Sequence, residues 1–505
     1  MPLKEGNILT PVGSWLREEF FGRKLMSPFG FVLLALIALG SAFLVAEDLF
    51  LVPLIASGLI IGIITVFICL FKPYYGLYVV SVFSIFVFYP NHLIGRDVLP
   101  LSPVLEILIL FVFLGSYLNR TGVPGSFKVL IKTLVSIAII LNTSSVLIQA
   151  FNPNVKGLEV WLPTIRRWLV YIMVYVMAYR LIDTMEKFRF FAKFWIVAAF
   201  VVALYGCFQQ WFGYLPMEMN YIMSVPGSYE LLFQGGQLRK FSFLSDVVSF
   251  GVLAGSMATF TLILAVHQKN KNRMVLMIVM SIIMLLGMAY SGTRTTTIIL
   301  PAGIILYGFL TIQSKTTAIT LFTFTMVALF LFFAPIYSSP TLNRMRTTFD
   351  SKDESMNLRE RNRHYIQPYL HAHPIGGGIG TTGLLGAHFY PEHPLADFPT
   401  DSGLLRIGLE SGWIGLIIWI FFNLAILWQG IYYYFRMKSR ECKIFIAALL
   451  ATLFPIIVTQ YSQETVGQIP GAIFFFSSLS LMKRLMEFDE DVAARERLAK
   501  SENLN

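Results

Sequence analysis

The segment Gly403-Leu-Leu-Arg-Ile-Gly-Leu-Glu-Ser-Gly-Trp-Ile-Gly-Leu-Ile-Ile-Trp-Ile-Phe-Phe-Asn-Leu-Ala-Ile-Leu-Trp-Gln-Gly-Ile-Tyr-Tyr-Tyr-Phe435 decides the architecture. From Leu416 onward it carries no charge, and as a helix it is long enough to cross a hydrocarbon core of roughly 30 Å. In lipid every backbone N–H and C=O needs a partner within the chain, which makes helix the reading for such a run. Similar runs recur at 29–46, 49–71, 75–90, 102–118, 128–150, 163–181, 190–212, 243–266, 273–291, 296–312, 317–336, 443–463 and 467–485. The chain has 505 residues, of which 56% are hydrophobic and only 13% charged, with a mean hydropathy of +0.67. Soluble domains are about a quarter charged. The expected fold is therefore all-α, a polytopic integral membrane protein of about 12–14 transmembrane helices with one long external loop.

Lysine and arginine in the short connections set the orientation. With the N-terminus cytoplasmic, the inner side receives Arg23, Lys24, Lys72, Arg120, Lys128, Lys132, Arg180, Lys187, Lys193, Lys269, Lys271, Arg273, Lys315, Arg436, Lys438, Arg440, Lys483 and Arg484. The expected divisions are an interfacial segment at 1–28, membrane helices at 29–336, a large external loop at 337–402, further helices at 403–485 and a cytoplasmic tail at 486–505. The first apolar run has no small-residue cleavage site after it and reads as a retained helix. The net charge of +10 is spread over these connections, so it reads as topology rather than as a nucleic-acid surface. Cys69, Cys207 and Cys442 lie in or beside apolar runs without motif spacing, which implies neither a disulfide framework nor a zinc site.

The segment 337–402 is far longer than an ordinary connection and rich in glycine, proline and histidine. It holds five of the seven histidines: His364, His371, His373, His388 and His393. The basic residues expected outside are mostly arginines (Arg96, Arg166, Arg167, Arg239, Arg294, Arg344, Arg346, Arg359, Arg361, Arg363 and Arg406) against Lys156, Lys240 and Lys352. A planar guanidinium fork suits phosphate oxygens, so an anionic ligand is expected on that side. In Tyr290-Ser-Gly-Thr-Arg-Thr-Thr-Thr-Ile298, Arg294 is expected at a helix start, either pointing toward the loop or snorkelling to the headgroups. Gly378-Ile-Gly-Thr-Thr-Gly383 follows no strand and opens no βαβ unit, so it is not a dinucleotide fingerprint. It is expected to be a tight turn whose amides could face an anion, and a plain glycine-rich turn is the bland alternative. Asp401-Ser402 stands where a helix N-cap belongs, without the Glu or Gln that completes a capping box. Arg406 and Glu410, one turn apart inside a span, form either an internally neutralised pair or the lining of a polar cavity. The histidines show no acidic partner at ligand spacing, so no metal is expected.

These residues together resemble the O-antigen ligase and Wzy-type polysaccharide polymerase superfamily. Arg294 with Ile298 matches its first element. Arg359, fifteen residues before Pro374 of the Pro-Ile-Gly-Gly-Gly turn, matches its second, with Arg361 or Arg363 as alternates. Asp401-Ser402, nine residues, then Gly412-Trp-Ile-Gly415 matches its third in spacing, with aspartate where the family has histidine. Arg239-Lys-Phe-Ser-Phe243 also looks like a family segment.

The resemblance implies inverting glycosyl transfer at the outer face of the bacterial cytoplasmic membrane, from a polyprenyl-diphosphate-linked oligosaccharide to a glycan acceptor. It implies no cofactor, metal or nucleic acid. Arg294 and Arg359 would stabilise the departing diphosphate, with Arg239, Arg361, Arg363, Arg406, Ser402 and the turn glycines Gly376, Gly378 and Gly380 as further binding residues. Asp401 is the first choice for the base or acceptor-orienting group, with His388 or His393 in reserve. Aspartate in place of histidine turns the expectation toward a polymerase of a surface polysaccharide, partnered by membrane lipid and a chain-length regulator. The alternatives are a ligase moving a finished glycan to a lipid or protein, and, from another class, a lipid-linked glycan flippase.

Overall fold

The computed structural model describes residues 51–96, 101–119, 126–155, 157–234, 236–312, 354–400 and 402–502, with isolated positions among 27–39 and 319–326. The expected spans at 29–46 and 317–336, the interfacial segment and Asp401 lie outside the described residues or nearly so. The long helices are α1 (Leu51–Phe71), α2 (Pro73–Phe86), α3 (Leu101–Leu118), α4 (Leu134–Ile148), α5 (Trp161–Leu181) and α6 (Met185–Phe212). They continue with α7 (Val247–Val266), α8 (Lys271–Tyr290), α9 (Ile299–Leu310), α10 (Glu354–Ala372), α11 (Gly403–Arg436), α12 (Arg440–Thr459) and α13 (Gly471–Glu502). Each remaining expected span coincides with one of these helices. Strand structure among the described residues is one two-residue hairpin, Phe233–Gln234 with Gln237–Leu238.

Among the described residues, eight helices are long and apolar enough to cross a membrane by length and composition. Helices α5 and α13 fall outside that group because of Arg166, Arg167 and Arg180 in one, and Lys483, Arg484 and Glu487 in the other. The centre of the bundle is α7, of whose most apolar window 83% is buried. It begins at Asp246, whose Oδ1 accepts from the Val248 and Ser249 amides at 2.8 and 2.9 Å. Between helices in lipid, close packing replaces the hydrophobic drive, and small residues let backbones approach. A Cβ on Gly206 would lie 2.2 Å from the Phe250 ring, and one on Gly115 would meet the Leu70 carbonyl at 2.5 Å. Phe250, Phe260, Phe474 and Trp195 fill the interior, while Ile61, Ile305 and Trp428 are exposed on the lateral surface.

At one end of the bundle, ion pairs close the connections. Arg189 meets Glu441 at 2.7 Å, Arg484 meets Glu487 at 2.7 Å, and the Asp489 carboxylate accepts from the Lys438 and Ser439 amides. The opposite end carries the motifs singled out in the sequence.

Candidate functional site

The membrane helix α11 is broken. Gly412 has φ 70° and ψ 179°, which interrupts the helical ladder two residues after Glu410 and six after Arg406. The glycine turn fills the gap. Gly377 and Gly378 donate their amides to the carbonyls of Leu409 and Glu410 at 2.8 and 2.9 Å, and Ile414 donates to the Pro374 carbonyl at 3.3 Å. The carbonyls orphaned by the break are thus satisfied by another segment, as backbone at membrane depth requires. Side chains would prevent this. A Cβ on Gly412 would lie 2.0 Å from the Pro374 oxygen, and one on Gly376 would lie 2.4 Å from the Gly412 nitrogen. The Pro374–Gly378 turn and the Gly412–Gly415 motif, which read as separate signals in the sequence, are one docked unit.

Of the glycine-rich stretch, the amides of Gly376, Gly377, Gly378, Thr381 and Gly383 donate to carbonyls within the chain. The outer carbonyls of the turn are held as well. Gln149 and Asn152 donate to the Ile375 carbonyl at 2.9 and 3.1 Å, and Asn154 donates to that of Gly376 at 2.8 Å. Gly378 and Gly380 lie against Val155 and Val160, where a Cβ would sit 2.6 and 2.2 Å from a methyl.

His393 is built into the same unit. Its Nδ1 accepts from the Leu395 amide at 3.1 Å, and its ring also bonds to the backbone of Asn154 and Gly377. Burial, assisted by nearby His373, holds its pKa below the ordinary histidine value. His388 stands exposed in the last turn of the short Gly383–Phe389 helix.

Arg294 opens a 3-10 turn, Arg294–Ile298, ahead of α9, in line with the reading of a helix start. The turn before it is braced by Arg239, whose Nε donates to the Ser291 carbonyl at 3.0 Å and whose Nη2 donates to Thr293 Oγ1 at 2.8 Å. Gly292, with φ 59°, lies under the Arg239 stem. Arg239 therefore acts on the segment that presents Arg294.

The loop Gln460-Tyr-Ser-Gln-Glu-Thr-Val-Gly-Gln468, between α12 and α13, ties these parts together. Ser462 Oγ lies 2.9 Å from Thr295 Oγ1. Tyr461 receives Arg363, which bonds to its hydroxyl and carbonyl and stacks over its ring at 4.1 Å. The Gln460 carbonyl accepts from Ser402 Oγ, and its side-chain oxygen accepts from Trp419 Nε1 at 2.6 Å. Ser402 is the N-cap of α11, accepting from the Leu405 amide. Arg406 bonds to Glu410 at 3.0 Å and to Glu464 at 2.8 Å, and Thr382 donates to Glu410 at 2.6 Å. The two readings of Arg406–Glu410 are both present, a neutralised pair and a cavity wall.

The cavity has a volume of about 310 Å³ and lies between α4, α5, α11, the 460–468 loop and the start of α13. Its polar lining includes Asn142, Arg167, Arg406, Glu410, Gln460 and Glu464, and its floor is aromatic: Trp168, Tyr171, Trp419 and Phe476. Arg361 is exposed on α10; Asp401 and the side chain of Arg359 lie outside the described residues. Arg167, Glu464, Gln460 and the Gln149–Asn152–Asn154 amides were not singled out as site residues by sequence. Arg167 stood among the outer arginines, and the only local sign of the loop was its polar run between two spans.

Residues 279–420 match the family model described as O-antigen ligase, in line with the resemblance read from the motifs. The matched stretch contains Arg294, the glycine turn and the Gly412 break. No curated protein matches the chain.

Proposed function

We propose that the protein is an inverting glycosyltransferase that polymerises polyprenyl-diphosphate-linked repeat units into a surface polysaccharide. The observation that carries this reading is convergence: the Arg294 turn and the Ser402–Gly415 segment, far apart in sequence, both bond to the 460–468 loop, and the Pro374–Gly378 turn docks on the Ser402–Gly415 segment, which with that loop lines the cavity. Departure of a diphosphate concentrates negative charge on its oxygens, and Arg294 and Arg359 are proposed to stabilise it more in the transition state than in the ground state. Arg239 is proposed to hold the Arg294 turn, Asp401 to accept the acceptor proton or orient its hydroxyl, and Arg361 to bind substrate from α10. The distribution of lysine and arginine supports placing the cavity end outside the bacterial cytoplasmic membrane, with both termini cytoplasmic.

The test is transfer with purified protein and a lipid-linked oligosaccharide repeat, with no nucleotide sugar or metal added. A ladder of products that disappears in Asp401→Ala is expected. One transfer to a non-repeat acceptor would identify a ligase instead. Movement of intact lipid-linked glycan across proteoliposomes without covalent product would overturn the enzyme reading.

A further inference from the structure

The stretch 194–238 contains no lysine or arginine, and its acidic residues are Glu218 and Glu230 alone. Its first 19 residues, to Phe212, complete α6 and rise about 28 Å at 1.5 Å per residue, close to the depth of the hydrocarbon. Along them Val197, Val201, Leu204, Phe208 and Trp211 recur at helical spacing on one exposed face, the stripe that meets lipid. The stripe does not stop where the helix does. Phe212, Leu215, Met217, Met223, Leu231 and Phe233 continue it over the connection that leads to Arg239, with Phe212 75% and Leu231 68% exposed. This connection is firmly anchored. Glu218, fully buried, accepts from the Leu215 amide at 2.9 Å, the Tyr205 hydroxyl at 2.8 Å and Gln209 Nε2 at 3.0 Å, which fastens the Pro216–Ser224 helix to the end of α6. Ile222 packs beneath it with Phe241 and Val247. With Glu218 turned inward, Glu230 is the one charged side chain on the outward face of 211–233. A water-facing surface is ordinarily dense in charge, and a contiguous apolar one marks contact with a membrane or a partner.

We infer that residues 211–233 form a platform that lies in the headgroup layer on the side of the Arg294 turn, with its apolar face on bilayer lipid. Two observations select lipid over a protein partner. The face continues the lipid-facing stripe of α6 with no charged residue at the join, and it begins at Trp211, an aromatic ring at the end of a span, where such rings sit at the interface. The platform is also tied to the site. Tyr214 donates to the Arg239 carbonyl, and the Arg239 amide donates to that of Leu232 at 2.9 Å. Its depth in the bilayer is therefore also the depth of the residue that holds the Arg294 turn.

The test is site-directed spin labelling of the full-length protein, one copy per nanodisc of phosphatidylcholine and phosphatidylglycerol. Met217→Cys, Met223→Cys and Leu231→Cys are labelled singly, with Val201→Cys on the α6 stripe as the lipid reference and Glu360→Cys, exposed on α10, as the water reference. Cys69, Cys207 and Cys442 are buried, and the unsubstituted protein supplies the blank. Oxygen concentrates in hydrocarbon, whereas a polar nickel chelate stays in water. The ratio of oxygen to chelate collisions at the three platform labels should exceed that at Glu360→Cys by roughly tenfold and approach that at Val201→Cys. Ratios equal to that of Glu360→Cys would put the face in water and overturn the proposal. Infrequent collision with both reagents would overturn it as well, because protein would then cover the face. The readout is contact with lipid, so the platform stands or falls independently of whether the protein transfers glycan.

Discussion

Replacing Gly412 with alanine tests the docking of the glycine turn onto the broken helix. The added methyl would lie 2.0 Å from the Pro374 oxygen and 2.5 Å from the Gly376 nitrogen, both backbone atoms that cannot rotate away. An L-residue at φ 70°, ψ 179° also carries about 1–3 kcal/mol of strain. Expelling the turn removes the bonds from Gly377, Gly378 and Ile414, together worth about 3 kcal/mol at roughly 1 kcal/mol each. The helix can recover part of this by closing across position 412, so that Leu409 and Glu410 regain helical partners. Global stability should therefore fall by less than the turn's docking energy, and local protection by nearly all of it. Hydrogen exchange read by mass spectrometry should show the amides of 374–380 losing protection by roughly 10²-fold in Gly412→Ala, with α7 unchanged. Unchanged exchange at Gly377 and Gly378 in a folded variant would refute the reasoning, because it would mean that the turn's order does not depend on the break.

Other consequences can be checked directly. Arg239→Ala removes both bonds to the Ser291–Thr293 turn and should lower glycan transfer by roughly 10- to 100-fold. Arg239→Lys should rescue little, since one ammonium cannot serve the Ser291 carbonyl and Thr293 together. Glu464→Gln leaves Arg406 with Glu410 alone and should loosen the 460–468 loop; a lowered thermal midpoint that Arg406→Gln partly reverses in the double variant is the expected result. The pKa of His393 is lowered in the folded protein, so the unfolded chain takes up a proton first as pH falls. Its contribution is present above the unfolded value near 6.5 and is lost progressively from there down toward the folded value. Protection around 374–398, taken relative to the intrinsic exchange rate at each pH, should accordingly fall from pH 7.5 to pH 5 in wild type and lose that dependence in His393→Asn.

The membrane class and most helices were legible because hydropathy is local: each run states its own fate in lipid. The cap at Ser402 was legible for the same reason, since the signal and the amide it serves are three residues apart. The Gly412 break was not. A glycine inside an apolar run looks like a packing glycine, and only the arrival of Pro374–Gly378, some 35 residues earlier in the chain, shows what it accommodates. The 460–468 loop was hidden differently. Hydropathy extended both flanking spans over its ends, leaving only 464–466 as a connection, although Gln460, Tyr461, Ser462 and Glu464 each hold a different part of the site.

The position of that loop also bears on how the protein is made. Helices α4 and α5, the Arg294 turn and the glycine turn all leave the ribosome before residues 460–468, and helix α13 follows. The cavity therefore gains its last wall late in synthesis. Chains stalled before α12 ends would sit in the bilayer with Arg406 lacking Glu464 and Arg363 lacking Tyr461. Such chains would lack one wall of the cavity until synthesis passes residue 468.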